Sequence, residues 1–109
     1  MKKGVESSVY RVVVATAADY NRMKRAIDSH SLGKDQALEL SRKVNAIDNA
    51  LLAVCEGECD AARSALLSDI ARMRGFKNSA GKAYYASRAT YTRRKREAVR
   101  MIAIMLGLV

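Results

Sequence analysis

The sequence predicts an all-α protein, and three features predict it. Apolar residues recur at helical spacing along most of the chain. Pro and Trp are absent and Phe occurs once, so the apolar half is mainly Ala, Val, Leu, Ile and Met, mixed with many Arg and Lys, which suits helices. No Asn-Gly or Asp-Gly pair offers a tight hairpin turn. At 109 residues the chain is expected to form one domain, 1–109.

The first helix is expected over Glu6–Asp28, with Val9, Val13, Thr16, Tyr20, Met23 and Ile27 on one stripe. Ser31-Leu32-Gly33 then turns the chain. A second helix follows over Lys34–Val54, where Ala37, Leu40, Val44, Ile47, Leu51 and Val54 alternate spacings of three and four like a coiled-coil seam. Two stripes joined by a short turn predict an antiparallel helical hairpin over 5–56. It has two outlets for its apolar face, a second copy in a dimer or the C-terminal part of its own chain.

Glu56-Gly57-Glu58 breaks the chain, and Asp60 is placed to cap a third helix reaching Arg74. Ala62, Leu66, Ile70 and Met73 are expected to face inward, and Gly75 to end the helix. Residues Lys77–Lys82 read as a polar loop, loosened by Gly81. Ser87 is the expected N-cap of a last helix running to Leu106, with Gly107 as its stop. Residues 59–109 thus form a basic lobe beside the hairpin lobe.

Charge is distributed unevenly. Met1–Ala71 carries ten Lys/Arg and ten Asp/Glu. Arg72–Arg100 carries ten Lys/Arg against Glu97 alone, which accounts for the whole net charge of +9. A dense patch of one sign attracts polyanions, whereas faces that only serve solubility usually mix signs. The focus is Tyr84–Glu97. It combines a helix start, whose free N–H groups suit a phosphate, with the hydroxyls of Ser87, Thr90 and Thr92 and a cluster of arginines.

A helix entering the major groove needs a polar N-terminal half and an anchored C-terminal half. This helix is polar and basic to Arg96 and apolar from Ala98. With Tyr91, Ala98 and Ile102 turned to the core, Arg88, Thr92, Arg93 and Arg96 are the candidates for contact with bases. Arg matches guanine O6 and N7, and Thr can bond a base or touch a thymine methyl. Lys77, Lys82, Ser87, Arg94 and Lys95 are the candidates for phosphate contact. Tyr84 and Tyr85 either pack on the core or border the DNA. The expected partner is double-stranded DNA, since few aromatics stand where unpaired bases would stack.

Ala86-Ser-Arg-Ala-Thr-Tyr-Thr-Arg-Arg-Lys-Arg-Glu97, followed by Val99–Ile102 and the ending Leu106-Gly-Leu-Val109, resembles the C-terminus of phage-encoded transcriptional regulators of the ArpU and RinA type. Asp19-Tyr-Asn-Arg-Met-Lys-Arg-Ala-Ile27 resembles a segment near their start. The resemblance implies a helix-turn-helix akin to the promoter-reading region of sigma factors, control of phage or prophage genes, and contact with RNA polymerase. The chain departs from that pattern at Ser79–Ala86, which lacks the Ile-Ala-x-x-Leu-Gly of the usual first helix.

Other classes find little footing. His30, the single histidine, sits in a polar turn, and no nucleophile motif or Gly-rich phosphate loop occurs, so no catalysis and no cofactor are expected. Cys55 and Cys59 make at most half a metal site at nonstandard spacing, so no metal is expected and they read as thiols at a helix junction. Val5–Ala18 is too broken by Glu6, Ser7, Ser8 and Arg11 to be a secretory leader, and Met101–Val109 is too short to span a bilayer. A cytoplasmic protein without membrane contact is expected. The two rival readings are a small-terminase-like packaging subunit and an adaptor that binds a partner helix through the hairpin.

Overall fold

The computed structural model describes residues 5–109. Helices α1 (Ser7–Ala18), α2 (Tyr20–Asp28), α3 (Lys34–Val54), α4 (Asp60–Ala71) and α5 (Arg88–Met105) follow in order, with 3-10 turns at Phe76–Asn78 and Gly81–Tyr84. Among the described residues there is no strand, as expected for the all-α class.

The expected first helix is two helices. It breaks at Asp19, whose N–H is shared between the carbonyls of Ala15 and Thr16. One turn earlier the Thr16 hydroxyl donates to the Val12 carbonyl at 2.7 Å, a back-bond that bends helices. The Asp19 carboxylate then accepts two bonds from Arg22, both at 2.6 Å, and this hydrogen-bonded pairing holds its pKa down. The break lets the halves take different partners: α1 packs on α4 and α5, whereas α2 returns along α3 after the turn at residues 29–33. The apolar stripe follows the bend: Val13 and Met23 are its buried members, and Ala17, outside the expected stripe, is buried with them. His30 is exposed in that turn.

Helix α3 is central. Val44, Ile47 and Leu51 of the expected seam are buried, while Ala37, Leu40 and Val54 are half-buried. Ala46 and Ala50 are buried too, so the inward face is wider than the seam. Helix α5 packs more extensively on α3 than on any other element. Ala50 shares a core with Ala98 and Ala103 of α5, small side chains that permit a close approach. That core also takes Val13, Leu66, Ile70, Tyr91, Val99 and Ile102, drawing on α1, α3, α4 and α5 together.

At the α3–α4 junction Cys55 is buried and Cys59 exposed. Burial, helped by the Glu58 charge, pushes the Cys55 thiol up to about 11. A thiol reagent is therefore expected to modify Cys59 in the native protein and Cys55 only on unfolding, read by mass spectrometry with and without denaturant. Cys59, not Asp60, is the N-cap of α4. Asp60 opens the helix and pairs with Arg63, whose guanidinium also donates to the Glu58 carbonyl at 2.6 Å.

Helix α4 stops short of the expected Arg74. Met73 takes a left-handed φ of 53°, its N–H bonds to the Ile70 carbonyl, and the Arg74 N–H bonds to the Asp69 carbonyl. This is a Schellman end, usually closed by Gly. The stop is thus Met73, not Gly75, and Met73 is 63% exposed rather than inward-facing. Helix α5 ends in the same motif with Gly107 at φ 78°, the residue expected there.

Candidate nucleic-acid interface

Helix α5 begins where the sequence places it. The Ser87 hydroxyl oxygen accepts the Thr90 N–H at 3.2 Å, so this side chain caps the helix. The segment leading into it is organised by a residue the sequence does not single out, Asp69 of α4. Asp69 is wholly buried. Its Oδ1 accepts Arg74 Nε at 2.8 Å and the Ala80 N–H at 2.9 Å, and its Oδ2 accepts the Gly81 N–H and the Tyr91 hydroxyl, both at 2.9 Å. One carboxylate therefore ties α4, the loop and the first turns of α5. Burial pushes its pKa up, but the N–H groups of Ala80 and Gly81, then Arg74 and Tyr91, outweigh burial and hold it below the usual value. Such a depressed group contributes its full stability above about pH 4, and loses it as pH falls through the folded-state value. Thermal melts between neutral pH and pH 2 are expected to show that acid loss.

Gly81 serves this arrangement and does not loosen the loop. A Cβ there would lie 2.8 Å from Tyr91 Cε1 and 3.0 Å from Asp69 Oδ2. Gly81→Ala is expected to cost about 1–3 kcal/mol through overpacking, seen as a lower urea midpoint. Tyr91 is 1% exposed and meets Phe76 and Tyr85 edge-on at 5.3 and 5.9 Å, a core residue as expected. Tyr85 donates to Glu58 Oε1 at 2.7 Å, while Tyr84 stays exposed.

The phosphate candidates divide. Arg94 lies between two carboxylates, 3.2 Å from Glu58 Oε2 and 3.0 Å from Glu97 Oε1. Lys95 donates to the Arg74 carbonyl and lies 5.9 Å over the Tyr91 ring, and burial lowers its pKa. Both are committed inside the fold. Lys82 donates to the Lys77 carbonyl at 2.8 Å across the loop, and both lysines are exposed.

The base candidates Arg88, Thr92 and Arg96 follow one row of α5 at spacings of four. Arg88 and Thr92 are exposed and Arg96 is half-buried, and Arg93 is exposed beside Arg96. Arg100, not among the contact candidates taken from the sequence, stands beside Arg93 and Arg96, because 93, 96 and 100 are spaced by three and four. The stripe runs roughly 10 Å along the helix. Among the described residues, none of Arg88, Arg93, Arg96 and Arg100 has an ion pair, although Arg22, Arg42, Arg63, Arg74 and Arg94 each do. Thr92 and Arg96 also border a cleft of about 530 Å³ shared with Glu6, Ser7 and Tyr10 at the start of α1.

Two expectations meet a different geometry. A helix-turn-helix joins its helices by three or four residues, whereas residues 72–87 and two 3-10 turns lie between α4 and α5. The apolar finish of α5 is only partly anchored: Ile102 and Ala103 are buried, but Ile104 and Met105 are 43% and 41% exposed. The reason is periodicity, since α5 offers one face to the core and its last turn is apolar all round. Among the described residues no helix is long and apolar enough to cross a membrane, and no group of three His, Cys, Asp or Glu side chains stands close enough to hold a metal ion.

Comparison with known protein families, with curated proteins and with solved structures finds no match to this chain.

Proposed function

We propose that this chain is a non-enzymatic double-stranded DNA-binding protein that controls transcription of phage or prophage genes, with α5 as its reading helix. The observation that carries the reading is the set of unpaired arginines on α5. Arg22, Arg42, Arg63, Arg74 and Arg94 hold carboxylates, while Arg93, Arg96 and Arg100 form a cationic stripe on α5 that makes no ion pair among the described residues. Between Ala61 and Arg96 the single carboxylate is Asp69, and it is buried. That stretch therefore presents no exposed carboxylate, and Glu97, which follows it, is paired with Arg94. Arg88 and Thr92 extend the row of Arg96 toward base edges, and Lys77 and Lys82 supply flanking phosphate contacts.

The unit works as a helix-turn-helix-like element in which the Asp69 network takes the place of a tight turn. Contact with RNA polymerase belongs to this reading by the family resemblance, and binding as a dimer by the apolar seam of the expected hairpin.

The test is a titration against random-sequence duplex and against fragments of the gene's own neighbourhood, at two salt concentrations. Tight binding to one fragment, with weaker and salt-sensitive binding to random duplex, is the expected result. Uniform salt-sensitive binding turns the reading toward DNA packaging, and light scattering then separates a dimer from a large ring. Absence of binding at low salt discards it in favour of a protein partner.

A further inference from the structure

We infer that Met73 is an apolar contact of the nucleic-acid interface, held outward against the sugars and base edges of a bound duplex. The inference rests on the DNA-binding reading above. In the sequence Met73 continues the inward stripe of α4, three residues after Ile70, so a core position would be the ordinary outcome. The fold instead leaves it 63% exposed, at a φ of 53° where an L side chain is strained and Gly is the usual occupant. That strain gains no core burial in return. Strain retained on a rigid surface is a mark of a functional position.

The turn is rigid on several sides. Both Schellman bonds are made. Arg74 is held by Asp69 and, through Nη2, by the Ser68 hydroxyl at 2.8 Å, and its carbonyl accepts Lys95 Nζ. This last bond also fixes which side of α5 the turn adjoins. Lys95 follows Thr92 by three residues and Thr92 follows Arg88 by four, so Met73 stands next to the residue that meets their edge of the helix. Its exposed neighbours in sequence include Arg72 and Lys77. An exposed apolar side chain in cationic surroundings suits a partner that is anionic outside and apolar between its charges, as a duplex is. Methionine is among the side chains that proteins press against base steps.

The experiment measures thermal melting and binding of a fluorescein-labelled random-sequence duplex, for the wild type, Met73→Gly and Met73→Leu. Met73→Gly is expected to raise Tm by removing the left-handed strain, yet to weaken duplex binding about tenfold through the lost apolar contact. Met73→Leu is expected to keep the affinity. A higher Tm with unchanged affinity for Met73→Gly overturns the inference while leaving the DNA-binding reading in place. Equal weakening by Gly and Leu overturns the apolar contact. Failure of the wild type to bind duplex at low salt overturns both, and binding of an acidic protein that depends on Met73 would then assign the residue to a protein interface.

Discussion

Asp69→Ala is expected to remove about 3–5 kcal/mol of stability, the penalty typical of deleting one partner of a buried ion pair. The substitution leaves the half-buried Arg74 guanidinium without its counter-charge, and it strips the N–H groups of Ala80 and Gly81 and the Tyr91 hydroxyl of their acceptor. Each buried donor left unmet costs about 1–3 kcal/mol by itself. Domains of this kind are stable by about 5–15 kcal/mol in all, so the variant should melt far below the wild type or fail to fold. Tyr91→Phe loses one of the bonds and keeps the ring in its place, at a cost of about 1 kcal/mol. Circular-dichroism melts of the two variants decide the matter. If Asp69→Ala melts within a few degrees of the wild type, the carboxylate does not organise residues 72–87.

The second large effect is expected in binding. Arg93→Ala and Arg96→Ala should each weaken the preferred DNA site by about 1–3 kcal/mol and relax its specificity if they read bases. Arg100→Ala, one turn further from the helix start, should weaken all sequences alike and flatten the dependence on salt by about one unit. None of the three has an intramolecular ion pair among the described residues, so their melting temperatures should stay close to that of the wild type. Arg94→Ala provides the contrast. Its partners are Glu58 and Glu97, so the substitution should act on stability and change binding only through the fold. Anisotropy titrations at several salt concentrations, on specific and random duplexes, measure these effects. Equal losses on every sequence for Arg93 and Arg96 would demote them to phosphate contacts.

Arg93, Arg94, Lys95 and Arg96 are consecutive cations that the sequence cannot rank. Direction along the helix separates them: successive residues point about 100° apart, so Arg94 meets the α3–α4 junction, Lys95 meets Arg74, Arg96 is half-buried beside the start of α1, and Arg93 stays exposed. The partners Glu58 and Arg74 are remote in sequence, and no local pattern announces them.

By itself the sequence determined what depends on neighbours a few residues away. Apolar spacing set the span of α3, the Ser87 hydroxyl set the start of α5, Gly107 set its stop, and composition set the helical class and the basic stretch from Arg72 to Arg100. Tertiary structure decided what depends on partners far along the chain. It broke the first helix at Asp19, because α1 and α2 bury against different helices. It widened the inward face of α3 with Ala46 and Ala50, side chains too small to register as a hydrophobic stripe. It turned Met73 outward, because the bonds that close α4 required a left-handed residue there. It made Asp69 a buried anchor, because four donors from three segments converge on one carboxylate only after the chain has folded.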